Sequence, residues 1–263
     1  MKRTPITLEI GTFPTPFRPL LQGAPLYDSS CSREARVILI DRDAGYYLKS
    51  APVGSLLTEA EMTRFFHGKG LGAEVLRYLP DEDGHDWLLT TRVPGEDCTH
   101  AQYLEEPERL CKLMGELLRG LHETDFTGCP VPDRMSAYLA TVDRNYHSGI
   151  FHPSYLPEHL RGMTADDAKR LVDENRSRLR TDALLHGDYC LPNIMLNGWR
   201  FSGFIDLDGG GVGDRHIDLF WGAWSLTYNL KSPTYGARFL DAYGRDSVQS
   251  ELLDVIAAAE TFG

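Results

Sequence analysis

The dominant hydrophobic pattern of this chain shifts from strand-rich to mainly helical near residue 92, and that shift limits the folds open to it. Before it, short β-branched or aromatic runs alternate with turn residues: "ARVILID" (35–41), "GYYLKS" (45–50), "AEVLRYL" (73–79) and "DWLLTTRV" (86–93). "RDAG" at 42–45 predicts a hairpin turn between the first two. One helical pattern interrupts the strands, "LLTEAEMTRFFHGKG", with Thr58 placed to cap it and Gly68 or Gly70 to stop it. After "PGED" (94–97) helices take over. "PERLCKLMGELLRGLHE" (107–123) sets Leu110, Leu113, Leu117, Leu118 and Leu121 on one stripe, and further helical stretches fall at 134–146, 165–179, 215–230, 234–243 and 247–261. Residues 183–206 return to strand character, and 147–163, the least regular stretch, predicts a surface lid. The expected architecture is α+β and two-lobed. A β-rich lobe over 1–92 carries one helix, a hinge lies near 91–97, and a mainly helical lobe fills 93–263.

Composition removes several classes of function. With 263 residues, 42% hydrophobic and 25% charged, the chain can bury a full core. No apolar stretch approaches the roughly 18 residues that span a bilayer. The start, "MKRTPITLEIGTFPTP", lacks the apolar segment of a signal peptide. Cys31, Cys98, Cys111, Cys129 and Cys190 are scattered, with no CxxC pair, as expected of reduced thiols in a cytoplasmic protein. Asp plus Glu total 38 against 27 Lys plus Arg, a net charge of −11. Such a surface repels nucleic acid and anionic membranes and attracts a cationic small molecule.

The chemistry concentrates in "ALLHGDYCLPNIMLNGWRFSGFIDLDGGG", which begins at Ala183. Carboxylates at the ends of buried strands are costly unless something pairs with them. Phosphoryl transfer from a nucleotide supplies the partners. It needs an Asp to take the acceptor hydroxyl's proton, an Asn and a second Asp to hold Mg²⁺, a Lys on the phosphates and a Glu to place that Lys. Asp188 precedes Asn193 with four residues between them, and Asp206 follows the apolar run "FSGFI". Upstream, Lys49 closes the strand "GYYLK", and the next helix carries Glu59 and Glu61. These two lie about 200° apart on a helix, so only one can face Lys49. The order Lys, Glu, hinge, Asp, Asn, Asp is that of a kinase.

"HGDYCLPNIM", "FSGFIDLDGGGVGDRHID" and "LHETDFTGCP" resemble the aminoglycoside 3′-phosphotransferases, kinase-like enzymes that inactivate aminoglycosides with ATP. The resemblance runs from about residue 30 to the end. It implies a protein-kinase-like fold: an antiparallel N-lobe sheet with one helix and a helical C-lobe. It implies that Asp188 is the base, that Asn193 and Asp206 hold Mg²⁺, that Lys49 contacts the α/β-phosphates and that Glu59 pairs with Lys49. Thr91 and Val93 would face the adenine edge through their backbone, Tyr47 would stack on the ring, and Ser30 and Ser32 in "DSSCS" would cover the phosphates. His186 and Asp218 would support the catalytic loop. Glu158 and Glu260, with Asp188, would line the acceptor site. The implied cofactors are ATP and Mg²⁺. GTP stays open because Thr90 is small enough to leave room behind the purine.

Other motifs have simpler readings. "GGGVG" (209–213) lacks the GK[ST] ending and GxGxxG spacing and reads as a turn. His147 and His152 lack a third ligand for zinc, Cys190 lacks a His/Asn partner and reads as packing, and His122 reads as a helix-end cap. The chain also departs from the family. Its lid offers only Glu158, the acidic pair of the helix after the "HID" segment is replaced around Tyr228 and Asn229, and "AAAETFG" keeps Glu260 and Phe262 but adds Gly263. The expected function is Mg²⁺- and ATP-dependent O-phosphorylation of an aminoglycoside by a monomer or weak dimer. The alternatives are a kinase of another small hydroxyl metabolite (choline-, homoserine- or sugar-like) and a catalytically silent nucleotide-binding module.

Overall fold

A computed structural model describes residues 3–31, 34–80 and 84–263. The chain forms two compact units, one of Met1–His100 with Pro192–Asp208, the other of Ala101–Leu191 with Gly209–Gly263. The sequence-based division at 92/93 falls inside the first unit, which also takes in the 192–208 segment.

The first unit is built on a six-stranded antiparallel sheet. Its strands are β1 (Thr4–Ile6), β2 (Leu26–Asp28), β3 (Arg36–Ile40), β4 (Tyr46–Pro52), β5 (Val75–Pro80) and β6 (His85–Thr91), in the order β1-β2-β3-β4-β6-β5. The β3–β4 turn uses the expected "RDAG", with Gly45 at φ +91° and its N–H donating to Arg42 O at 2.8 Å. Because side chains alternate across a strand, Leu48 faces one way and Lys49 the other. On the Leu48 face, Ile38, Ile40 and Leu89 pack with Phe13, Phe17 and Leu21. Those last three come from two 3₁₀ turns and the short helix α1 (Arg18–Leu21), a layer that the strand-oriented reading of 1–92 did not anticipate. On the opposite face, Ala51 and Leu88 pack against Leu56 and Ala60 of helix α2 (Leu57–Gly68). Thr58 is not the cap of α2: it lies within the helix, and the buried Asp86 of β6 accepts from Leu56 N–H at 2.9 Å. A carboxylate beside the positive end of a helix is favourable. A second sheet, β10 (Arg200–Phe204), β9 (Ile194–Asn197) and β7 (Glu96–Asp97), completes this unit.

The second unit is mainly helical: α3 (Ala101–Leu104), α4 (Pro107–His122), α5 (Arg134–His147), α6 (Ala165–Asn175), α7 (His216–Leu230), α8 (Pro233–Gly244) and α9 (Ser250–Glu260). A two-stranded ribbon of β8 (Ala183–Leu185) and β11 (Gly211–Gly213) crosses it, so part of "GGGVG" is a strand rather than a turn. Helix α6 ends earlier than expected, at Asn175, and α9 begins later, at Ser250, each flanked by a 3₁₀ turn. Residues 147–163 hold no long element, only the 3₁₀ turns Pro153–Tyr155 and Glu158–Leu160. Among the described residues, no helix is long and apolar enough to cross a membrane.

Candidate active site

In the first unit three charged side chains meet. Lys49 Nζ lies 2.7 Å from Glu59 Oε2 and 2.8 Å from Asp206 Oδ1. The strand alternation that turns Lys49 toward α2 brings it to Glu59, which shares the inward stripe of α2 with Met62, Thr63 and Phe66. Glu61 is exposed, so of the two candidate glutamates it is Glu59 that meets the lysine. Burial alone would lower the Lys49 pKa, but Glu59 and Asp206 outweigh it and hold the ammonium above its ordinary value. Burial pushes the Glu59 carboxyl up to about 7; Lys49 opposes that rise, and Asp206 adds to it.

Asp206 arrives by a different route. The β9–β10 hairpin pairs Ile194 with Phe204, and Ile205 N–H donates to Asn193 O at 3.1 Å. The amide residue and the carboxylate residue therefore leave the open end of one hairpin together. Phe204 N–H also donates to Leu71 O at 2.8 Å, and the Phe204 ring meets Phe66 edge-on at 6.1 Å, fixing the hairpin to α2. Asp206 itself has φ +61°, a conformation that costs energy for a residue with a side chain and that collects at functional sites. Asn193 is buried, whereas Asp206 is exposed. One carboxylate and one amide oxygen form a hard donor set that suits Mg²⁺, which takes few protein ligands and completes its shell with phosphate and water. Among the described residues there is no group of three or more His, Cys, Asp or Glu side chains placed to hold a metal ion.

The remaining first-unit candidates lie around this triad. Tyr47 is partly buried two residues before Lys49, on the same strand face, and pairs with Thr90. Thr91 is fixed by Glu74, donating N–H to its carbonyl at 3.0 Å and accepting from its N–H through Oγ1 at 2.9 Å. Val93 is buried with Ala73, Met195 and Ile205, so the hinge packs directly on the hairpin. The Ser30 hydroxyl closes its own turn, donating to Asp28 Oδ1 at 2.7 Å and accepting from Val37 N–H at 3.0 Å. A phosphate drawn to it must replace Asp28. Ser32 lies outside the described residues.

In the second unit the loop after β8 carries His186, Gly187 and Asp188. The fully buried Asp218 accepts from His186 N–H at 2.8 Å and from Gly187 N–H at 2.7 Å. His122 lies between Asp218 Oδ2, 3.2 Å from Nε2, and the Tyr243 hydroxyl, 2.9 Å from Nδ1. With the carboxylate as acceptor, Nε2 carries the proton and Nδ1 accepts from Tyr243. His122 thus belongs to a buried network under the loop and is not a helix-end cap. Gly187 has φ +86°, and a Cβ there would stand 1.9 Å from Gly209 O, so only glycine fits. Tyr189 donates to Met114 O at 2.9 Å, and Leu191 N–H donates to Ser225 Oγ at 3.0 Å. The loop is anchored on both sides of a partly exposed Asp188. The Cys190 thiol is buried, its pKa raised by burial and then by Asp188, which suits packing and not nucleophilic chemistry.

Glu260 closes α9 and is buried, not frayed into solvent. Tyr138 OH donates to its Oε1 at 2.8 Å. Burial pushes the carboxyl up to about 7, against the hydrogen bonds from Tyr138 and Trp221, while the Asp188 charge adds to the rise. Glu260 and Asp188 are therefore within electrostatic reach of each other. Glu158 is exposed on its 3₁₀ turn. The 147–163 segment that carries it is tied to α9 and the residues just after it, by His152 N–H to Thr261 O at 2.7 Å and by His159 Nε2 to Asp254 Oδ1 at 2.8 Å.

Residues 31–253 match the phosphotransferase enzyme family, APH. The chain is 44% identical over 258 residues, 98% of each sequence, to the probable aminoglycoside 3′-phosphotransferase of Lactococcus lactis subsp. lactis (strain IL1403). Its fold is shared with the crystal structure of an aminoglycoside-3′-phosphotransferase of type VIII, with a TM-score of 0.71 and 24% identity over 99% of this chain and 94% of that one. It is shared too with aminoglycoside phosphotransferase APH(3″)-Id from Streptomyces rimosus ATCC10970 in complex with ADP and streptomycin (TM-score 0.69, 20% identity, 86% of this chain and 90% of that one). The lysine, the two glutamates and the anchored aspartate loop thus sit in a chain that belongs to the phosphotransferase enzyme family, among its aminoglycoside 3′-phosphotransferases.

Proposed function

We propose that the protein transfers the γ-phosphate of ATP to a hydroxyl of an aminoglycoside. The observation that carries this reading is Lys49 bridging Glu59 and Asp206, since a strand lysine paired with a helix glutamate is how a kinase places its phosphate-binding ammonium. On this reading Lys49 engages the α/β-phosphates while Glu59 keeps it in place. Asn193 and Asp206 hold Mg²⁺, which when bound neutralises phosphate charge. Asp188 orients the acceptor hydroxyl and takes its proton, and the Asp218–His122 network keeps the loop in position. Thr91 and Val93 present the hinge backbone to the purine, Tyr47 stacks on it, and Ser30 belongs to the segment over the phosphates. Glu260 and Glu158 receive ammonium groups of the acceptor. The ADP and streptomycin bound by the Streptomyces rimosus relative support both halves of the reading.

The test is turnover of MgATP and MgGTP against a panel of aminoglycosides and small alcohols, with product masses. The expected result is a monophosphorylated aminoglycoside and no phosphorylated alcohol. A second reading, a kinase of a less charged hydroxyl compound, is favoured by the exposed, uncharged Tyr228. Phosphorylation of a neutral alcohol and of no aminoglycoside would establish it instead.

A further inference from the structure

Helix α7 carries an aromatic ladder that begins at Glu260. Trp221, Trp224 and Tyr228 lie three and four residues apart and so share one face. The Trp221 side chain hydrogen-bonds Glu260 at the inner end. Trp221 meets Trp224 edge-on at 5.6 Å, and Trp224 stacks on Tyr228 at 5.1 Å with only 6° between the rings. Tyr155 of the lid leans edge-on against both indoles, at 5.4 and 5.8 Å, so the ladder is braced from the lid side. Exposure rises along it, from the buried Glu260 through the half-buried tryptophans to Tyr228, which is 58% exposed.

The outer rung already holds a cation. Lys231 Nζ sits 4.2 Å from the centroid of the Tyr228 ring. Trp224 precedes Tyr228 by one turn and Lys231 follows it by one, so the ring lies between an indole and an ammonium. An ammonium within about 6 Å of a ring centroid is held by the ring's negative face, and the stacked indole keeps that face rigidly presented. The seven residues from Trp221 to Tyr228 advance about 10 Å along the helix, the reach of a few linked sugar rings.

We propose that the Trp224–Tyr228 stack is a cation–π subsite for a protonated amine of the acceptor, with Lys231 occupying it until the acceptor binds. The inference rests on the aminoglycoside reading and sharpens it. It gives the outer edge of the ladder to aromatic recognition of an amine and the inner edge to one buried carboxylate, Glu260. An exposed ammonium–ring contact is weak, so an acceptor anchored at several amines displaces a single lysine.

The test is steady-state phosphorylation of kanamycin by the full chain and by Tyr228→Leu, Tyr228→Phe, Lys231→Met and the double variant Tyr228→Leu/Lys231→Met. Tyr228→Leu keeps apolar bulk and removes the π face. It is expected to raise the kanamycin KM about fivefold, with kcat and the ATP KM unchanged, whereas Tyr228→Phe stays within about twofold of wild type. Lys231→Met is expected to lower the kanamycin KM about twofold in the wild-type background and to change nothing once the ring is gone. A Tyr228→Leu variant that matches wild type, a Phe variant as impaired as Leu, or a Lys231→Met effect that survives ring removal each overturns the subsite. Any of these, with wild-type turnover intact, leaves the aminoglycoside reading standing. Absence of any aminoglycoside turnover by the wild type overturns both.

Discussion

Among the described residues two glutamates are buried, and burial pushes each up to about 7, yet they keep different company. Glu59, in the first unit, has an ammonium 2.7 Å away. Glu260, in the second, is hydrogen-bonded by neutral groups, the Tyr138 hydroxyl and the Trp221 side chain. The first carboxylate has its cation built in, from the preceding strand β4. The second has hydrogen-bond donors that favour its ionised form and an Asp188 charge that opposes it, and on the proposed function its cation would come with the acceptor. On the proposed function, the difference separates a group that places a nucleotide-handling lysine from a group that reads a substrate.

The largest effect is expected from breaking the first arrangement. Asp206→Ala removes an ionised ligand from a hard cation and is expected to abolish turnover. Binding of MgATP, measured by calorimetry, is expected to weaken more than binding of ATP with chelator present. Equal weakening in both would show that Asp206 acts on something other than the metal. Next comes Asp188→Asn, which keeps size and hydrogen bonding but removes the proton acceptor. Turnover should drop by about 10²-fold or more with nucleotide affinity little changed, and near-wild-type turnover would remove Asp188 from the role of base.

The second arrangement is sharpened by stability measurements. A carboxyl raised from its ordinary 4.5 to about 7 keeps a proton in the folded state that the unfolded chain has released. Folding stability therefore falls as pH rises from about 4.5 to about 7 and levels off above. Glu260→Gln should remove its share of that slope and leave the share of Glu59, which is raised alike, so that the variant is more stable than wild type at pH 8 by up to roughly 3 kcal/mol. Denaturant titrations at pH 5 and pH 8 check this, and parallel pH profiles would contradict it. The smallest effect is expected from salt: moderate ionic strength screens exposed Glu158 but scarcely touches buried Glu260. Glu158→Gln should therefore change the acceptor KM only at low salt, by about twofold.

Much of the first arrangement was legible in the sequence, because each part of it is local. Strand alternation turns Lys49 from the Leu48 core, a helix stripe turns Glu59 inward, and a hairpin brings Asn193 and Asp206 to one end. What escaped is what long-range packing supplies. Asp86 caps α2 from a distant strand, and His122 reaches Asp218 and Tyr243 through the interior of its unit. Tyr138 meets Glu260 across 122 residues. A polar residue on an apolar helix stripe, as His122 is, was the available signal for such a network. The left-handed conformation of Asp206 had no sequence signal, since the glycines that usually mark such a turn follow it instead.

The contrast between the two glutamates comes down to one crossed measurement: KM for ATP and for kanamycin in Glu59→Gln and in Glu260→Gln. The expected result is a crossover. Glu59→Gln lowers kcat and raises the ATP KM with the kanamycin KM unchanged. Glu260→Gln raises the kanamycin KM about tenfold, corresponding to about 1.4 kcal/mol, with the ATP KM unchanged. Two variants that shift the same KM, or a Glu260→Gln enzyme indifferent to kanamycin, would contradict the division of the site into a nucleotide carboxylate and an acceptor carboxylate.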